Sequence, residues 1–454
     1  METTVVDNAL TQISLYLQKG QWEQAISLLE SLRPPDQADV FEDLDEQQQT
    51  ELLPRLDIED SADILEEMED EEAAELAIRL QAEALAPILD EMEADEAADL
   101  LGDLPVEKVR EILARMKDVS AVQPLLIHAD ESAGGLMTSE FPALRRRQTV
   151  SAALACLKAW APEEEPGSQR AYYLYVIDEQ QHLQGVVSLL DLIAADPLKQ
   201  VGDIMDPDPI AVQAGTDQEE CARLMSRYDL ISLPVINGEN RLIGIITADD
   251  LVEVLEEETT EDIQRLGGAQ PLQKPYLNTG VLEVTWKRIG WLLLLLVTAT
   301  FTGTVLRYFE YELEVVVSLA YFIPLLIGTG GNAGSQTTSA IVRALAVRDI
   351  ALRDFARVLW HEMRTGLLLG VCLAAVAFGR ALLWQTGPLV ALAVALSIVA
   401  IVVWSTSVGS LLPLLAARLG IDPTVVSGPA MSTLVDATGL FIYFSIARVI
   451  LPMI

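Results

Sequence analysis

Ser427-Gly428-Pro429-Ala430-Met431-Ser432-Thr433-Leu434-Val435-Asp436-Ala437-Thr438-Gly439 sets a lone carboxylate inside the last apolar segment of the chain. A charge at membrane depth costs at least about 2.5–3.5 kcal/mol, so it normally faces a partner or a water-filled path. Ser432, Asp436 and Gly439 fall on one helical face, which gives the segment a polar stripe. Upstream, Pro324-Leu325-Leu326-Ile327-Gly328-Thr329-Gly330-Gly331-Asn332-Ala333-Gly334-Ser335-Gln336 carries a second stripe, with Gly328, Asn332 and Gln336 at i, i+4 and i+8. Pro324 and the glycines can loosen backbone pairing and present carbonyls, which is tolerated only beside protein or water. Close helix packing through small residues is the competing reading of the same glycines.

Outward from these stripes, the chain divides in two. Residues 1–274 hold 59 Asp and Glu against 19 Lys and Arg, whereas residues 275–454 hold 9 against 11. Charge and hydrophobicity segregated this cleanly imply a soluble acidic half and a membrane half. So negative a surface excludes a nucleic-acid partner, whose phosphates require basic residues, and concentrates cations instead. Cys156, Cys221 and Cys372 form no CxxC pair, so neither a disulfide framework nor a thiolate zinc site is encoded. The first residues lack a basic region followed by an apolar core, so no signal peptide is expected and the acidic half is expected in the cytoplasm. His128, His182 and His361 are scattered, and no nucleophile–base or phosphate-loop constellation accompanies them. Enzyme chemistry is not expected.

The acidic half opens with a repeat. Ala62-Asp63-Ile64-Leu65-Glu66-Glu67-Met68-Glu69 returns 24 residues on as Ala86-Pro87-Ile88-Leu89-Asp90-Glu91-Met92-Glu93, and the same shift aligns Ala38 to Leu44 and Arg110 to Met116. Apolar spacing of three or four makes each unit a pair of short amphipathic helices, and such units must stack as an α-solenoid to bury their apolar faces. Leu and Met at the repeated positions are core; the carboxylates are expected on the solvated face.

Next come two copies of an α/β module. Tyr172 to Asp178 and Ser232 to Gly238 read as strand and turn, and each is followed by Gly-x-x-Ser/Thr-x-x-Asp: Gly185, Ser188, Asp191, then Gly244, Thr247, Asp250. This resembles a tandem CBS-domain pair, in which the motif often binds adenosine ribose and phosphate. Gly would admit a ligand closely, and the hydroxyl and Asp would hydrogen-bond it. An ordinary strand-to-helix turn capped by Ser, Thr or Asp explains the same residues. A long acidic helix follows from Asp249 to Gly268.

Five apolar segments run roughly 286–308, 313–342, 358–384, 388–417 and 424–452, each long enough to cross about 30 Å of hydrocarbon. Arg343, Arg348, Arg353, Arg357 and Arg364 between segments two and three place that loop and the N-terminal half inside, and hence the C-terminus outside.

In domain order the whole chain resembles the MgtE family of magnesium channels. The most specific residues are Pro324 to Gln336 and Gly420-Ile421-Asp422-Pro423-Thr424 through Asp436 to Gly439. The resemblance implies a multidomain α + α/β + membrane fold: an acidic α-solenoid over 1–131, tandem CBS domains over 132–254, an acidic connecting helix over 255–275 and a five-span pore domain over 276–454. It implies a homodimer in lipid at the cell membrane, with Mg2+ passing between protomers. Asp436 would be the pore carboxylate, with Gly328, Asn332, Gly428 and Ser432 lining the same route. Mg2+ bound to Asp95, Asp99, Asp217, Glu219, Asp229, Asp250, Glu253, Glu257, Glu258 and Glu261 would close the pore, the last three facing Asp422. The CBS resemblance adds ATP at Gly185, Ser188 and Asp191. Ser432 stands where the family commonly has Thr. The alternatives are a carrier for Mn2+ or Co2+, and a membrane-anchored nucleotide sensor whose spans only anchor it.

Overall fold

The structure is a computed structural model that describes residues 2–160, 172–272, 276, 279–426 and 428–452. Residues 161–171, the linker residues 273–275, 277 and 278, and Ser427 of the opening stretch lie outside the described residues. The chain forms two compact units, 1–258 and 259–454.

The first unit begins with helices α1 (Glu2–Gln18), α2 (Trp22–Leu29), α3 (Pro34–Glu42), α4 (Glu46–Leu52), α5 (Ile58–Glu66), α6 (Asp70–Arg79), α7 (Ala82–Leu89), α8 (Ala94–Gly102) and α9 (Val106–Leu113). The 24-residue repeat becomes two rows: α3 packs on α5, α5 on α7 and α7 on α9, while α4 packs on α6 and α6 on α8. Phe41, Leu65 and Leu89, and Leu52, Leu76 and Leu100, are buried in one continuous core, as their register requires.

Three of the carboxylates expected to be merely solvated have a structural task. The backbone N–H of Glu69 donates to Glu42 Oε1 at 3.0 Å, that of Glu93 to Glu66 Oε1 at 2.5 Å, and that of Lys117 to Asp90 at 2.9 and 3.0 Å. Glu69 and Glu93 are the residues that open α6 and α8, whose first N–H groups lack intrahelical acceptors. Within α4 this need is met locally by an Asp45–Gln48 capping box. In the next two units the preceding repeat supplies the acceptor.

The α/β part comprises β1 (Ala143–Arg145), α10 (Val150–Trp160), β2 (Tyr173–Ile177), β3 (Leu183–Ser188), α11 (Leu189–Ala194), β4 (Val212–Gln213), α12 (Gln218–Tyr228), β5 (Ser232–Ile236) and β6 (Leu242–Thr247). Each copy is a three-stranded sheet, β1-β2-β3 or β4-β5-β6, with a parallel first pair and an antiparallel second pair. Even the irregularity is repeated: the register shifts at Val176/Ile177 and again at Val235/Ile236. The copies are interleaved. Thr138, ahead of the first, pairs with Ile245 of the second, and Asp206, ahead of the second, pairs with Val186 of the first. A Cβ on Gly185 would sit 2.5 Å from Asp206 O, and one on Gly244 would sit 2.5 Å from Met137 Sδ. Both motif glycines therefore admit a crossing segment of the other copy.

Helix α13 (Ala248–Leu266) contains the boundary between the units. The second unit continues with α14 (Val281–Tyr308), α15 (Glu310–Val315), α16 (Ile323–Ala346), α17 (Phe355–Leu383), α18 (Pro388–Arg418) and α19 (Gly428–Ile450). Among the described residues four regions are long and apolar enough to cross a membrane: α14, α17 with its leading turn, α18 and α19. The expected apolar segment 313–342 is not one continuous helix. Its first part is α15 and a 3-10 turn over Val317–Phe322, and a 24-residue helix starts only at Ile323. Pro324 does not loosen that helix; it occupies the first turn, where a missing N–H leaves no bond unmade. The glycine-rich stretch is regular helix, too polar to stand among the four.

Glu42 carries a pH signature. Burial, then Glu72, Glu69 and Asp39, push its carboxyl up to about 7 against the Glu69 N–H bond. The fold therefore favours neutral Glu42, and this contribution grows as pH falls through 7 toward the unfolded value and is lost above it. Glu42→Gln, which keeps an acceptor, is expected to raise stability at pH 8 by about 1–2 kcal/mol and to flatten the pH dependence between 8 and 5. Glu66→Ala is expected to lower stability by about 0.5–2 kcal/mol, the usual loss of a cap. Denaturant unfolding of the purified variants measures both.

Candidate cation sites

Two sites follow from where these elements put oxygen atoms. In the second unit α16 packs between α18 and α19. Gly330, Gly331 and Gly334 are buried there. A Cβ on Gly331 would meet Ser432 Oγ at 2.6 Å, one on Gly334 would meet Met431 Cε at 2.8 Å, and one on Gly330 would meet Ile401 Cγ2 at 2.6 Å. Ser335 Oγ donates to Gly428 O (3.0 Å) and Thr338 Oγ1 to Gly409 O (3.2 Å), tying the three helices by side chain as well as by contact. The two readings of the glycine stretch thus fall on different residues. Gly330, Gly331 and Gly334 pack, while Gly328, Asn332 and Gln336 form an exposed polar stripe with open space at Gly328.

Asp436 is half-buried on α19, one residue beyond Val435, which packs on Gly330. Among the described residues no hydrogen bond or ion pair reaches its carboxylate. Ser432 and Gly428 lie on the same helix at i−4 and i−8. A second acid in the helical region went unnoticed in the sequence: Glu362 on α17 accepts from Thr337 Oγ1 at 3.3 Å. No partner residue near Glu362 in the chain order gives that away.

The first unit holds a crowd of carboxylates drawn from α6, α8, the loop after α9 and α13. Burial, then Asp130, Asp70, Asp103 and Glu253, push Asp99 up to about 8. Desolvation, then Asp70, Glu253, Glu258 and Glu69, raise Glu257 to about 7. Glu96 rises through burial, Asp95, Glu253, Asp99 and Glu66. Burial also raises Asp250, with Asp249 and Glu93 adding and hydrogen bonds from Thr247 opposing. Asp95, 6 % exposed, lies in the first turn of α8. Of the predicted residues, Asp99, Glu253 and Glu257 are therefore brought together, with Asp250 one turn before Glu253 on α13. Asp70, Glu96, Asp103 and Asp130 join them without having been singled out, because repeat position does not say which acid meets α13. These acids oppose one another's charge, whereas the acids whose oxygens lie within 4.8 Å of one another among the described residues are Glu30, Asp57 and Asp60.

The other predicted residues are placed differently. Asp217 caps α12, accepting from Glu219 N–H at 3.0 Å, and Glu258 accepts from the neighbouring Gln218 at 2.9 Å. Asp229 ends the same helix in a left-handed conformation, φ 52°. Eleven helical residues set it roughly 16 Å from Asp217 and Glu219, so the three acids are not one cluster. In the second unit Glu261 and Asp422 do come together, but through Arg265, which pairs with both. Partial burial raises the Asp422 carboxyl, and bonds from Thr424 and Arg265 outweigh it, holding the group below the usual range. In the α/β motif, Ser188 donates to Asp191 Oδ2 (2.6 Å) and accepts from Asp191 N–H (3.0 Å), the capped turn anticipated as the plain reading. In the second copy Thr247 Oγ1 again donates to the carboxylate, Asp250 Oδ2 (2.9 Å), but the backbone bond is reversed, with Thr247 N–H donating to Asp250 Oδ2 (2.8 Å).

A helical acidic domain and a duplicated α/β module joined to a bundle with unpaired polar stripes define a membrane transport protein with a large soluble half. Comparison gives the class its family. Residues 323–446 match the family described as divalent cation transporter, 22–126 the MgtE intracellular N domain, and 201–257 the CBS domain. The magnesium transporter MgtE of Thermus thermophilus is 44 % identical over 346 residues, 75 % of this chain and 76 % of that protein. That of Bacillus subtilis is 35 % identical over 328 residues, 72 % and 71 % of the two chains. A crystal structure of the cytosolic domain of the Mg2+ channel MgtE in complex with ATP is 36 % identical, with a TM-score of 0.49, covering 54 % of this chain and 99 % of that one. The chain belongs to the MgtE family of magnesium transporters.

The division of labour among the glycines is testable. Gly331→Val forces side-chain atoms onto Ser432 and is expected to cost about 1–3 kcal/mol of packing, lowering the melting temperature of the detergent-purified protein. Gly328→Ala, in open space, is expected to leave that temperature within a degree or two.

Proposed function

We propose that the protein mediates Mg2+ uptake across the cell membrane and is closed by Mg2+ bound to its acidic soluble half. The observation that carries this reading is the exposed stripe of Gly328, Asn332 and Gln336 on α16, beside a helix bearing an unpaired Asp436. Lipid cannot solvate such a surface, so it faces water or a second copy of itself. In a homodimer within the bilayer, Asp436, Ser432, Gly428, Asn332 and Gly328 of both copies would line one route. Mg2+ gives up its water shell reluctantly, and a wide site of carbonyls with two carboxylates would hold the ion hydrated. Oxygen ligands alone give no advantage to Mn2+ or Co2+.

In this reading α16 is a fifth span, screened from lipid by its neighbours, and the C-terminus lies outside. The α-helical rows form a short solenoid over 1–131, followed by the CBS pair over 132–254, the connecting helix over 255–275 and the pore domain from 276. The residues that would hold regulatory Mg2+ are Asp95, Asp99, Asp250, Glu253 and Glu257, with Asp70, Asp103 and Asp130 added. Asp217, Glu219 and Glu258 would form a separate group; Asp229, Glu261 and Asp422 are further candidates. Bare, these surfaces repel; bridged, they hold together. A ligand that favours one arrangement shifts the population toward it. No catalytic step is assigned. ATP would bind at the Ser188–Asp191 turn that starts α11, two strand positions and a turn beyond Gly185.

Asp436→Ala is expected to abolish Mg2+ influx in vesicles while expression and oligomeric state stay normal. Undiminished uptake by that variant would sink the pore assignment. Deleting residues 1–130 is expected to preserve conduction and weaken inhibition by internal Mg2+ severalfold. Unchanged inhibition in current recordings would remove the acidic cleft from the closing mechanism.

A further inference from the structure

We propose that Arg265 is a built-in counter-cation, a fixed positive charge that joins Glu261 to Asp422 and docks the end of α13 on the loop before α19 without metal. The inference rests on the reading of Glu261 and Asp422 as part of the closing apparatus, and it reassigns what holds them together. Arg265 Nη1 lies 2.7 Å from Asp422 Oδ2, and its other terminal nitrogen pairs with Glu261 one turn back along α13. Asp422 has little capacity left. Thr424 Oγ1 donates to Oδ2 at 2.6 Å and Thr424 N–H to Oδ1 at 2.8 Å. A planar guanidinium offers donors in a fork that two carboxylates can share, whereas two carboxylates alone would repel across the same gap.

Separate contacts fasten the segment after α13 to itself and to α14. Leu272 N–H donates to Gln264 Oε1 (2.8 Å), Gln270 N–H to Lys287 O (3.2 Å), and Lys287 Nζ to Pro271 O (2.7 Å). Gly268, with φ of 75°, turns the chain back toward α14 as a left-handed residue. Arg265 is the sole link among these from α13 to the segment entering α19, the helix that bears Asp436. A divalent cation coordinating Asp422 must displace it, so at this point metal and arginine compete. Regulation by Mg2+ then acts through the carboxylates of the first unit, and the Glu261–Asp422 contact is a standing joint.

Hydrogen–deuterium exchange on the full chain in lipid nanodiscs tests the joint directly. In wild-type protein, amides of residues 259–268 should be protected in EDTA and change little when Mg2+ is added. Arg265→Gln should exchange about tenfold faster there in EDTA, a local opening, and regain protection in Mg2+, which can now bridge the freed carboxylates. Arg265→Lys should keep most of the metal-free protection, and Asp422→Asn should lose it without recovery in Mg2+. Wild-type protection that depends on Mg2+ would overturn the proposal, as would an Arg265→Gln protein as protected in EDTA as wild type, or a lysine variant that behaves like glutamine. Mg2+ flux of the same proteins in sealed vesicles is an independent readout: a wild-type protein that passes no Mg2+ defeats the proposed function and leaves the exchange result standing.

Discussion

Repulsion among carboxylates that packing has drawn out of water is the constraint on which the rest of this molecule depends. Asp70, Asp99, Glu253 and Glu257 belong to helices, and Asp103 and Asp130 to turns, of segments that share one core with the second α/β copy, so burial of Leu, Met and Val draws the acids together. The hydrophobic contribution is large and non-directional, and it does not depend on ions. The electrostatic opposition is local and vanishes when positive charge enters. Carboxylates opposed in this way make the compact arrangement sensitive to the positive charge around it. In the helical half Asp436, like Glu362, is an acid set on a largely apolar helix.

Much of the architecture was legible because it is periodic. The 24-residue shift fixed which Leu and Met are core, and Phe41, Leu65 and Leu89 are buried as that register demands. The duplicated α/β motif fixed two equivalent sheets, down to a shared register shift. Reading failed where one residue serves two surfaces. Pro324 lay inside a long apolar run and looked like an interruption, yet position alone decides whether proline breaks a helix or begins one. The carboxylates at 42, 66 and 90 looked solvated because their acceptors' partners are 27 residues away and belong to the backbone, which carries no sequence signal.

The site was legible in kind and partly in place. Asp436 stood out because a charge among apolar neighbours has few explanations, and Gly328, Asn332 and Gln336 because their spacing is helical. The acids of the first unit could be named only through a family resemblance, and the members missed, Asp70, Glu96, Asp103 and Asp130, differ in nothing local from the many that stay solvated. Arg265 illustrates the same limit. In sequence it is one basic residue near the end of an acidic helix, and only folding brings Asp422, 157 positions away, to its guanidinium.

The hydrogen bonds between successive repeats have a direction. Each runs from a backbone N–H back to a carboxylate 27 positions earlier: Glu42 and Glu66 complete the starts of α6 and α8, and Asp90 accepts from Lys117 in the segment after α9, so each unit depends on its predecessor. Asp45 and Gln48 close the first such helix from within, which allows the series to begin. Ala114 occupies the position that Glu42, Glu66 and Asp90 hold earlier, which brings the series to a stop at the edge of the α/β pair. The array is thus of defined length by its own chemistry. Removing one interior unit of 24 residues would leave a carboxylate facing an equivalent helix start, whereas removing half a unit would leave an acid with nothing to accept from and a helix with nothing to donate to.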